Sequence, residues 1–193
     1  MSETASDQGW LPDAAGWVPA CRCVPSPNHD ERPDGTLINL LVIHAISLPP
    51  GEFGGNAVSE FFTNCLDATA HPYFATIAAR RVSAHFFVRR DGEVIQFVSC
   101  LSRAWHAGVS CWRGRECCND FSIGIELEGD DVSNYADAQY AALRRLAAGL
   151  RAIYPIASSV GHADIAPARK TDPGPHFDWH RLHADEPFAM REM

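Results

Sequence analysis

The sequence predicts a mixed α/β fold in which a central mixed β-sheet is flanked by helices. Residues 37–43 (LINLLVI) form a nearly continuous apolar run, which is typical of a buried strand. Residues 121–128 (FSIGIELE) alternate apolar and polar side chains, which is typical of a strand with one buried face. A helix is predicted at about 136–153, where apolar side chains recur every three or four residues, and Pro155 ends it.

Shorter segments add further elements to this pattern. Apolar residues in the segment 57–66 follow helical spacing, which predicts a second helix. The segments 81–90 and 93–98 flank the dipeptide Asp91-Gly92, which is a strong signal for a β-hairpin. These elements add one helix and one pair of antiparallel strands to the predicted sheet.

The chain length and composition predict one domain. A chain of 193 residues is long enough to bury most of its apolar surface in a single core. We predict a single domain over residues 1–193, with its core at about 20–183. Residues 1–16 have the composition of a loose N-terminal tail, although Trp10 and Trp17 could dock onto the core.

Charge and cysteine content limit the class of protein. The formal net charge is −8, which argues against nucleic acid as a partner because phosphates require clustered basic side chains. No apolar run approaches the roughly 18 residues that a membrane span needs, and residues 1–9 lack the character of a signal sequence. Seven cysteines at irregular spacing do not resemble a secreted disulfide framework. We therefore expect a cytoplasmic protein with no membrane association and no obligate protein partner.

The segment 161–175 (GHADIAPARKTDPGP) concentrates chemically active side chains in a loop rich in proline and glycine. His162 and Asp172 offer one nitrogen and one oxygen donor, which are ligand types of a catalytic zinc that keeps one position open for water. The Pro-Gly-Pro sequence after Asp172 restricts the backbone, so its carboxylate can be held in place. Lys170 could place a positive charge near an oxyanion. The alternative is an ordinary polar surface loop.

A third metal ligand is available at the end of the first predicted strand. His44 follows the apolar run 37–43, and loop residues begin soon after it. A lone histidine in this position is commonly a hydrogen-bonded structural residue. Together with His162 and Asp172, however, His44 completes a set of two histidines and one carboxylate, which suits zinc in a hydrolase.

A general base is expected on a rigid element that faces the metal. The polar face of the segment 121–128 carries Glu126 and Glu128. We expect Gly124 to leave open space beside Glu126, whereas Glu128 lies nearer the end of the strand. Paired carboxylates on an exposed strand face are also commonly solvated and without a catalytic role. The spacing alone does not decide between the two glutamates.

Several longer motifs occur in an order that one protein family shares. They include RAWHAGVS at 103–110, NDFSIGIELEG at 119–129 and the segment 161–175, and the resemblance extends from about Trp17 to about Arg181. On these motifs the chain resembles the AmpD-type anhydro-N-acetylmuramoyl-L-alanine amidases, which belong to the zinc amidase and peptidoglycan-recognition superfamily. The resemblance implies the fold of that superfamily, in which helices pack against a central mixed sheet.

The resemblance also implies a cofactor, an activity and a set of roles. Zinc (Zn2+) would be bound by His44, His162 and Asp172, with Glu126 as the general base and Lys170 as a stabiliser of the transition state. The implied activity is hydrolysis of the amide between the lactyl group of 1,6-anhydro-N-acetylmuramic acid and L-alanine of the stem peptide. The implied substrate is an anhydro-muropeptide. This activity belongs to cytoplasmic peptidoglycan recycling and, in some Gram-negative bacteria, influences β-lactamase induction.

Substrate contacts are predicted from the same motifs. Trp105 and His106 are candidates for an exposed platform that contacts the sugar, although a tryptophan in the core is the ordinary alternative. Arg81 and Arg115 are candidates for binding carboxylates of the stem peptide, because an arginine can bind a carboxylate through two parallel hydrogen bonds.

Two positions depart from the family pattern, and two other functions remain open. Ala45 stands where asparagine is common, and Cys117 stands where several relatives have an arginine, so both changes concern recognition of the peptide. One alternative is a muropeptide-binding module without catalysis, but such a module would be expected to lack a ligand that is present here. The other alternative is an amidase that acts on intact peptidoglycan, which would require export.

Overall fold

The computed structural model describes residues 8–184 and has the mixed α/β architecture that the sequence predicts. The strands, in chain order, are β1 (Arg22–Cys23), β2 (His29–Glu31), β3 (Leu40–Ile46), β4 (Phe86–Val88), β5 (Val94–Gln96), β6 (Ser102–Ala104), β7 (Cys111–Trp112), β8 (Arg115–Glu116), β9 (Ser122–Glu128) and β10 (Ser158–Gly161). The helices around them are α1 (Ala57–Phe62), α2 (Pro72–Ile77), α3 (Asp137–Ile153), α4 (His162–Ile165) and α5 (Trp179–Leu182).

The central sheet is six-stranded and mixed. Its spatial order is β1-β5-β4-β9-β3-β10. Strands β4 and β5 are antiparallel neighbours, and the other neighbouring strands are parallel. Gly92 lies in the turn between β4 and β5 with a φ of 89°, as the dipeptide Asp91-Gly92 predicts. The predicted fold class is confirmed.

The two seven-residue strands β3 and β9 lie side by side at the centre of this sheet. They pair in parallel along their whole length, with His44 opposite Glu126. Because side chains alternate along a strand, paired residues point to the same face of the sheet. One face of this pair is apolar, with Ile43 opposite Ile125, and the other face carries His44 and Glu126.

Helix α3 covers the apolar face. Its side chains Tyr140, Leu143, Leu146 and Leu150 are buried in the main core cluster, as the predicted stripe requires, whereas Ile153 at its end is half exposed. Each buried leucine contributes roughly 1.5–3 kcal/mol. This layer is therefore a major source of stability.

No helix within residues 8–184 combines the length and the apolar character that crossing a membrane requires.

Two separate apolar clusters cover the opposite face. One includes buried side chains of α1 and α2, and the other includes Val42 and a residue of α4. Along β3, Val42 belongs to the second cluster and Ile46 packs against the first. His44 lies between these two residues. The sheet therefore presents a polar position in the middle of this face.

Strand β3 differs in its bounds from the segment 37–43 predicted for it. It runs from Leu40 to Ile46, so His44 lies within the strand rather than at its end. The reason is its pairing with β9, which continues as far as the pair Ile46 and Glu128. The apolar run 37–43 alone does not indicate where this pairing ends.

The N-terminal segment contains Trp10, one of the two tryptophans that the sequence analysis allows to dock onto the core. Trp10 packs against the main core cluster. Gly149 of α3 permits this approach, because a Cβ atom there would lie 2.1 Å from the carbonyl oxygen of Trp10. The polar composition of the segment does not reveal a contact that depends on a glycine far along the chain. Residues 1–7 of the predicted tail lie outside the described residues.

We expect Gly149→Ala to destabilise the protein, although alanine is ordinarily favoured over glycine in a helix by about 1 kcal/mol. The added methyl group would collide with the backbone at Trp10, and overpacking of this kind costs about 1–3 kcal/mol. Thermal unfolding should therefore show a Tm lowered by several degrees. The control is Ala148→Gly at the exposed neighbouring position, which changes helix propensity alone. A raised Tm in Gly149→Ala would contradict the docking of Trp10.

Candidate active site

Three side chains converge at the polar position on the sheet. His44 Nδ1 lies 2.9 Å from His162 Nδ1 and 3.2 Å from Asp172 Oδ2, and His162 Nδ1 lies 3.1 Å from the same oxygen. Both histidines are buried and the aspartate is partly buried. Among residues 8–184, this is the group of histidine, cysteine and acidic side chains whose geometry could hold a metal ion. These are the three residues that the sequence predicts as ligands.

Each of the three comes from a different element. His44 lies in β3, and His162 is the first residue of α4, directly after the neighbouring strand β10. Asp172 lies in the loop after α4, where its carbonyl oxygen accepts a hydrogen bond of 2.9 Å from the backbone of Ala163. The carbonyl oxygen of Pro173 accepts a hydrogen bond of 2.7 Å from a buried tyrosine hydroxyl. The loop backbone is thus fixed on both sides of the carboxylate.

Burial and mutual contact determine the charges in this group. Burial lowers the pKa of His44 to about 4, although the nearby Asp172 carboxylate opposes this shift. Burial disfavours ionisation of Asp172, but its contacts with His162 and His44 outweigh burial and hold its pKa below the ordinary value. At neutral pH, His44 is therefore neutral beside an ionised Asp172. Binding of a divalent cation requires its ligands in these protonation states.

The three donor atoms lie close enough together to bind one cation. Bonds of about 2.0–2.2 Å at tetrahedral angles separate neighbouring donor atoms by about 3.3–3.6 Å, and the separations of 2.9, 3.1 and 3.2 Å here are slightly shorter. The second ring nitrogen of His162, Nε2, lies 3.1 Å from the carbonyl oxygen of Ala107. A carbonyl only accepts, so Nε2 carries the hydrogen and Nδ1 directs a lone pair at the group. These donors are the types found in catalytic zinc sites.

Glu126 lies beside this group on β9, opposite His44. Its Oε2 atom is buried, and among the described residues it has no hydrogen-bond partner. Burial raises the pKa of Glu126 well above its ordinary value, the charge of Asp172 adds to this effect, and Lys170 opposes it. A buried carboxyl with an unsatisfied oxygen beside a cation site has the position and the proton affinity expected of a general base.

Both carboxylate oxygens of Glu128, the alternative base, accept hydrogen bonds from the backbone. Its Oε1 accepts a hydrogen bond of 2.5 Å from Gly54, and its Oε2 accepts one of 3.0 Å from Arg90. The side chain is 4% exposed. Glu128 therefore attaches the loop that contains Gly54 to the sheet, and the geometry favours Glu126 over Glu128 as the base.

A cleft of about 450 Å³ opens over the site, a size typical of small-molecule sites. It is lined by four residues that the sequence predicts for catalysis or substrate binding, which are Glu126, Lys170, Trp105 and His106. Tyr73 and Arg80 also line it, and neither was predicted from the sequence. The indole nitrogen of Trp105 donates a hydrogen bond of 3.0 Å to Asp30, which holds the ring at the cleft.

The two arginines predicted to bind carboxylates do not line this cleft. Arg81 is exposed and donates hydrogen bonds to the carbonyl oxygens of Ala78 and Arg80. The guanidinium of Arg115 lies 3.8 Å from the centre of the Phe121 ring. Contact of Arg81 and Arg115 with substrate therefore stays a prediction.

Gly124 does not leave open space beside Glu126, contrary to the expectation from the sequence. A Cβ atom on Gly124 would lie 2.4–2.6 Å from three atoms of the His106 ring. The ring therefore packs directly on β9, and its Nδ1 lies 2.9 Å from His44 Nε2. Alternation within β9 does not show that a ring from a separate loop occupies this space.

Asn119 and Ser122 also contribute to the site, and neither was predicted from the sequence. The side-chain oxygen of Asn119 accepts hydrogen bonds from the backbone of His106 at 3.2 Å and of Ala107 at 2.8 Å. The Ser122 hydroxyl lies 3.2 Å from His106 Nε2. Both residues fall within the motif 119–129, so that motif was the available signal.

Comparison with known proteins agrees with this site. Residues 34–175, which include all three donors and Glu126, match the family described as N-acetylmuramoyl-L-alanine amidase. The chain therefore belongs to the N-acetylmuramoyl-L-alanine amidase family, and it is an enzyme of that class.

Near-full-length relatives place the chain in the AmpD group of the family. The 1,6-anhydro-N-acetylmuramyl-L-alanine amidase AmpD of Citrobacter freundii is 57% identical over 190 residues, which cover 97% of this chain and 98% of the relative. A crystal structure of a selenomethionine derivative of AmpD has 58% identity and a TM-score of 0.88, covering 90% of this chain and 98% of that one. AmiD of Escherichia coli, solved with the substrate anhydro-N-acetylmuramic acid-L-Ala-D-γ-Glu-L-Lys, has 33% identity and a TM-score of 0.58, covering 80% and 60%.

Proposed function

We propose that the protein uses zinc, held by His44, His162 and Asp172, to hydrolyse the amide between 1,6-anhydro-N-acetylmuramic acid and L-alanine of the stem peptide. The observation that carries this proposal is the convergence of the three donors beside Glu126, whose buried oxygen has no partner among the described residues. Two nitrogen donors and one carboxylate oxygen are typical of zinc hydrolases. The name of the Citrobacter relative, which matches over nearly its whole length, supports the choice of bond.

The side chains around the site can carry out the proton transfers of amide hydrolysis. When bound, zinc lowers the pKa of water to about 7 and polarises the scissile carbonyl. Glu126 accepts the proton of the attacking water at its unsatisfied Oε2, because its raised pKa makes it a good base. The same atom then donates that proton to the nitrogen of L-alanine as the amide bond breaks. Lys170 lines the cleft and stabilises the developing oxyanion, a contribution of about 3 kcal/mol.

The cleft offers groups for both parts of the substrate. Trp105 presents an aromatic ring that Asp30 holds in place, which suits contact with the sugar. Arg80 lines the cleft, and Arg81 follows it in the chain, so this segment offers two guanidinium groups for carboxylates of the stem peptide. Arg115 on the β7–β8 hairpin is a third candidate. Such local cations are needed because the protein has a net charge of −8 and the substrate is itself anionic.

The proposed place of this reaction is cytoplasmic recycling of peptidoglycan fragments. Membership of the AmpD group supports this assignment. Removal of the muropeptide signal would also keep β-lactamase induction low. The two alternatives, a binding module without catalysis and an amidase of intact peptidoglycan, predict different products and are separated by the same experiment.

The test is mass analysis of the products formed from a soluble anhydro-muropeptide. We expect free stem peptide and the anhydro-sugar product from the metal-replete enzyme, neither product after treatment with a chelator, and recovery on addition of zinc. Binding without cleavage by the zinc-loaded protein would contradict the proposal in favour of the binding module. Equal rates on intact sacculi would favour the wall amidase. Recovery with magnesium but not with zinc would contradict the choice of metal.

A further inference from the structure

The side of His44 that faces away from the metal site contacts a series of polar groups. His44 Nε2 lies 2.9 Å from His106 Nδ1, and His106 Nε2 lies 3.2 Å from the hydroxyl oxygen of Ser122. That hydroxyl donates a hydrogen bond of 2.6 Å to the carbonyl oxygen of Cys118. The series therefore connects a backbone carbonyl to one of the proposed metal ligands.

The carbonyl end determines where each hydrogen in the series lies. A carbonyl oxygen only accepts, so Ser122 directs its one O–H to Cys118 and offers a lone pair to His106. His106 Nε2 must therefore carry a hydrogen and donate it to Ser122. With Nε2 committed to Ser122, the lone pair of the His106 ring lies on Nδ1, 2.9 Å from His44 Nε2 and in position to accept its hydrogen. A His44 hydrogen on Nε2 leaves a lone pair on Nδ1, the atom that faces His162 and Asp172.

The surroundings of His106 fix the position of its ring. The ring packs on Gly124, and Asn119 accepts a hydrogen bond from the backbone N–H of His106. Rotation of the ring that would exchange its two nitrogens is thus opposed by close contacts.

The next residue orients the second histidine of the site. The carbonyl oxygen of Ala107 accepts hydrogen bonds from His162 Nε2 at 3.1 Å and from Arg169 at 2.8 Å. Asn119 also binds the backbone N–H of Ala107, at 2.8 Å. The dipeptide His106-Ala107 therefore holds both imidazoles with their Nδ1 lone pairs directed at the same point.

We propose that His106, oriented by Ser122, is a positioning residue of the metal centre, which holds His44 in the tautomer whose Nδ1 lone pair faces the cation. This inference rests on the metal site proposed above. It gives His106 a role different from the sugar contact that the sequence predicts. Partners that hydrogen-bond the outer nitrogen of a ligand histidine typically change metal affinity by about 10–100-fold.

The test compares His106→Leu with His106→Asn, because the two side chains are nearly equal in size and only asparagine can accept a hydrogen bond from His44. We expect His106→Leu to weaken zinc binding by about 10–100-fold, measured by competition with a chromophoric chelator. His106→Asn should retain most of the affinity. His176→Leu, at an exposed histidine outside the cleft lining, is the control and should leave zinc affinity unchanged.

The tautomer is measured directly by long-range proton–nitrogen correlation NMR of the zinc-free protein. We expect the hydrogen of His44 on Nε2 in the unaltered protein and in His106→Asn, and a mixture of tautomers in His106→Leu. Ser122→Ala is a second variant that leaves the His106 ring in place. Without the Ser122 hydroxyl, we expect both His106 and His44 to populate a mixture of tautomers and zinc binding to weaken. Thermal unfolding verifies that each variant is folded.

Several outcomes would overturn this role. They are a His44 hydrogen on Nδ1 in the unaltered protein, unchanged zinc affinity in His106→Leu, and equal losses in the leucine and asparagine variants. Unchanged zinc affinity with a raised KM would assign His106 to the substrate instead. If the unaltered protein binds no zinc, the proposed function fails together with this inference. Zinc binding that is unaffected by His106→Leu defeats this inference alone.

Discussion

We expect replacement of Glu126 with glutamine to lower kcat for the anhydro-muropeptide by about 10²–10⁴-fold, the usual contribution of a positioned general base. Glutamine has the same size and can occupy the same position on β9 opposite His44. Its amide neither takes up the proton of water nor delivers it to the leaving amine. Zinc affinity should stay unchanged, because Glu126 is not one of the three donors. Steady-state rates measured together with metal content check both statements.

Glu128→Gln is the matched control for this variant. Each oxygen of Glu128 accepts a hydrogen bond from the backbone, from Gly54 and from Arg90. Glutamine has one acceptor oxygen, so one backbone N–H loses its partner, at a cost of about 1–3 kcal/mol in the free energy of unfolding. The control should therefore lose stability and keep its kcat. Normal turnover by zinc-loaded Glu126→Gln, or loss of turnover in Glu128→Gln, would require another base.

The contrast between these two glutamates shows what a single strand pattern can predict. Alternation puts Glu126 and Glu128 on the same face of β9, and that much is visible in the sequence. Which carboxyl lies beside the candidate metal site depends on the register between β3 and β9, which pairs Glu126 with His44. It also depends on the loop at Gly54, which covers Glu128. Neither contact leaves a periodic signal in either strand.

The layers of the fold could be predicted because each arises from a local pattern. The apolar stripe of α3 and the apolar run of β3 each follow the period of their own element. Contacts between distant segments could not be predicted in this way. Trp10 docks at Gly149, and a glycine in a helix has several possible causes, so it does not identify the segment that approaches it.

The candidate metal ligands could be named from the sequence only as a set. His44 alone is compatible with a structural histidine, and the loop with His162 and Asp172 is compatible with an ordinary polar surface. The resemblance joins them, and the structure brings their donor atoms together. The contacts of Arg81 and Arg115 were less predictable, because long exposed side chains on loops are not positioned by local pattern.

We expect Lys170→Met to lower kcat by about 10²–10³-fold, the usual contribution of one donor to an oxyanion. We also expect it to move the acid limb of the pH profile of kcat/KM to higher pH. The charge of Lys170 lowers the pKa of Glu126, against the effects of burial and of Asp172, because a nearby cation favours the ionised carboxylate. Without that charge the pKa of Glu126 rises further, so more of the enzyme holds its base protonated at a given pH.

Lys170→Arg separates the effect of charge from that of shape. It keeps the cation, so the acid limb should stay near its original pH even if the longer side chain lowers kcat. Metal content must be measured in each variant, because the charge of Lys170 also acts on His44. In zinc-loaded Lys170→Met, kcat could fall while the acid limb stays at its original pH. That result would mean that Lys170 stabilises the oxyanion and does not affect the pKa of Glu126. A limb that moves to lower pH would contradict the coupling to Glu126, since removing a cation cannot favour ionisation of a neighbouring carboxyl.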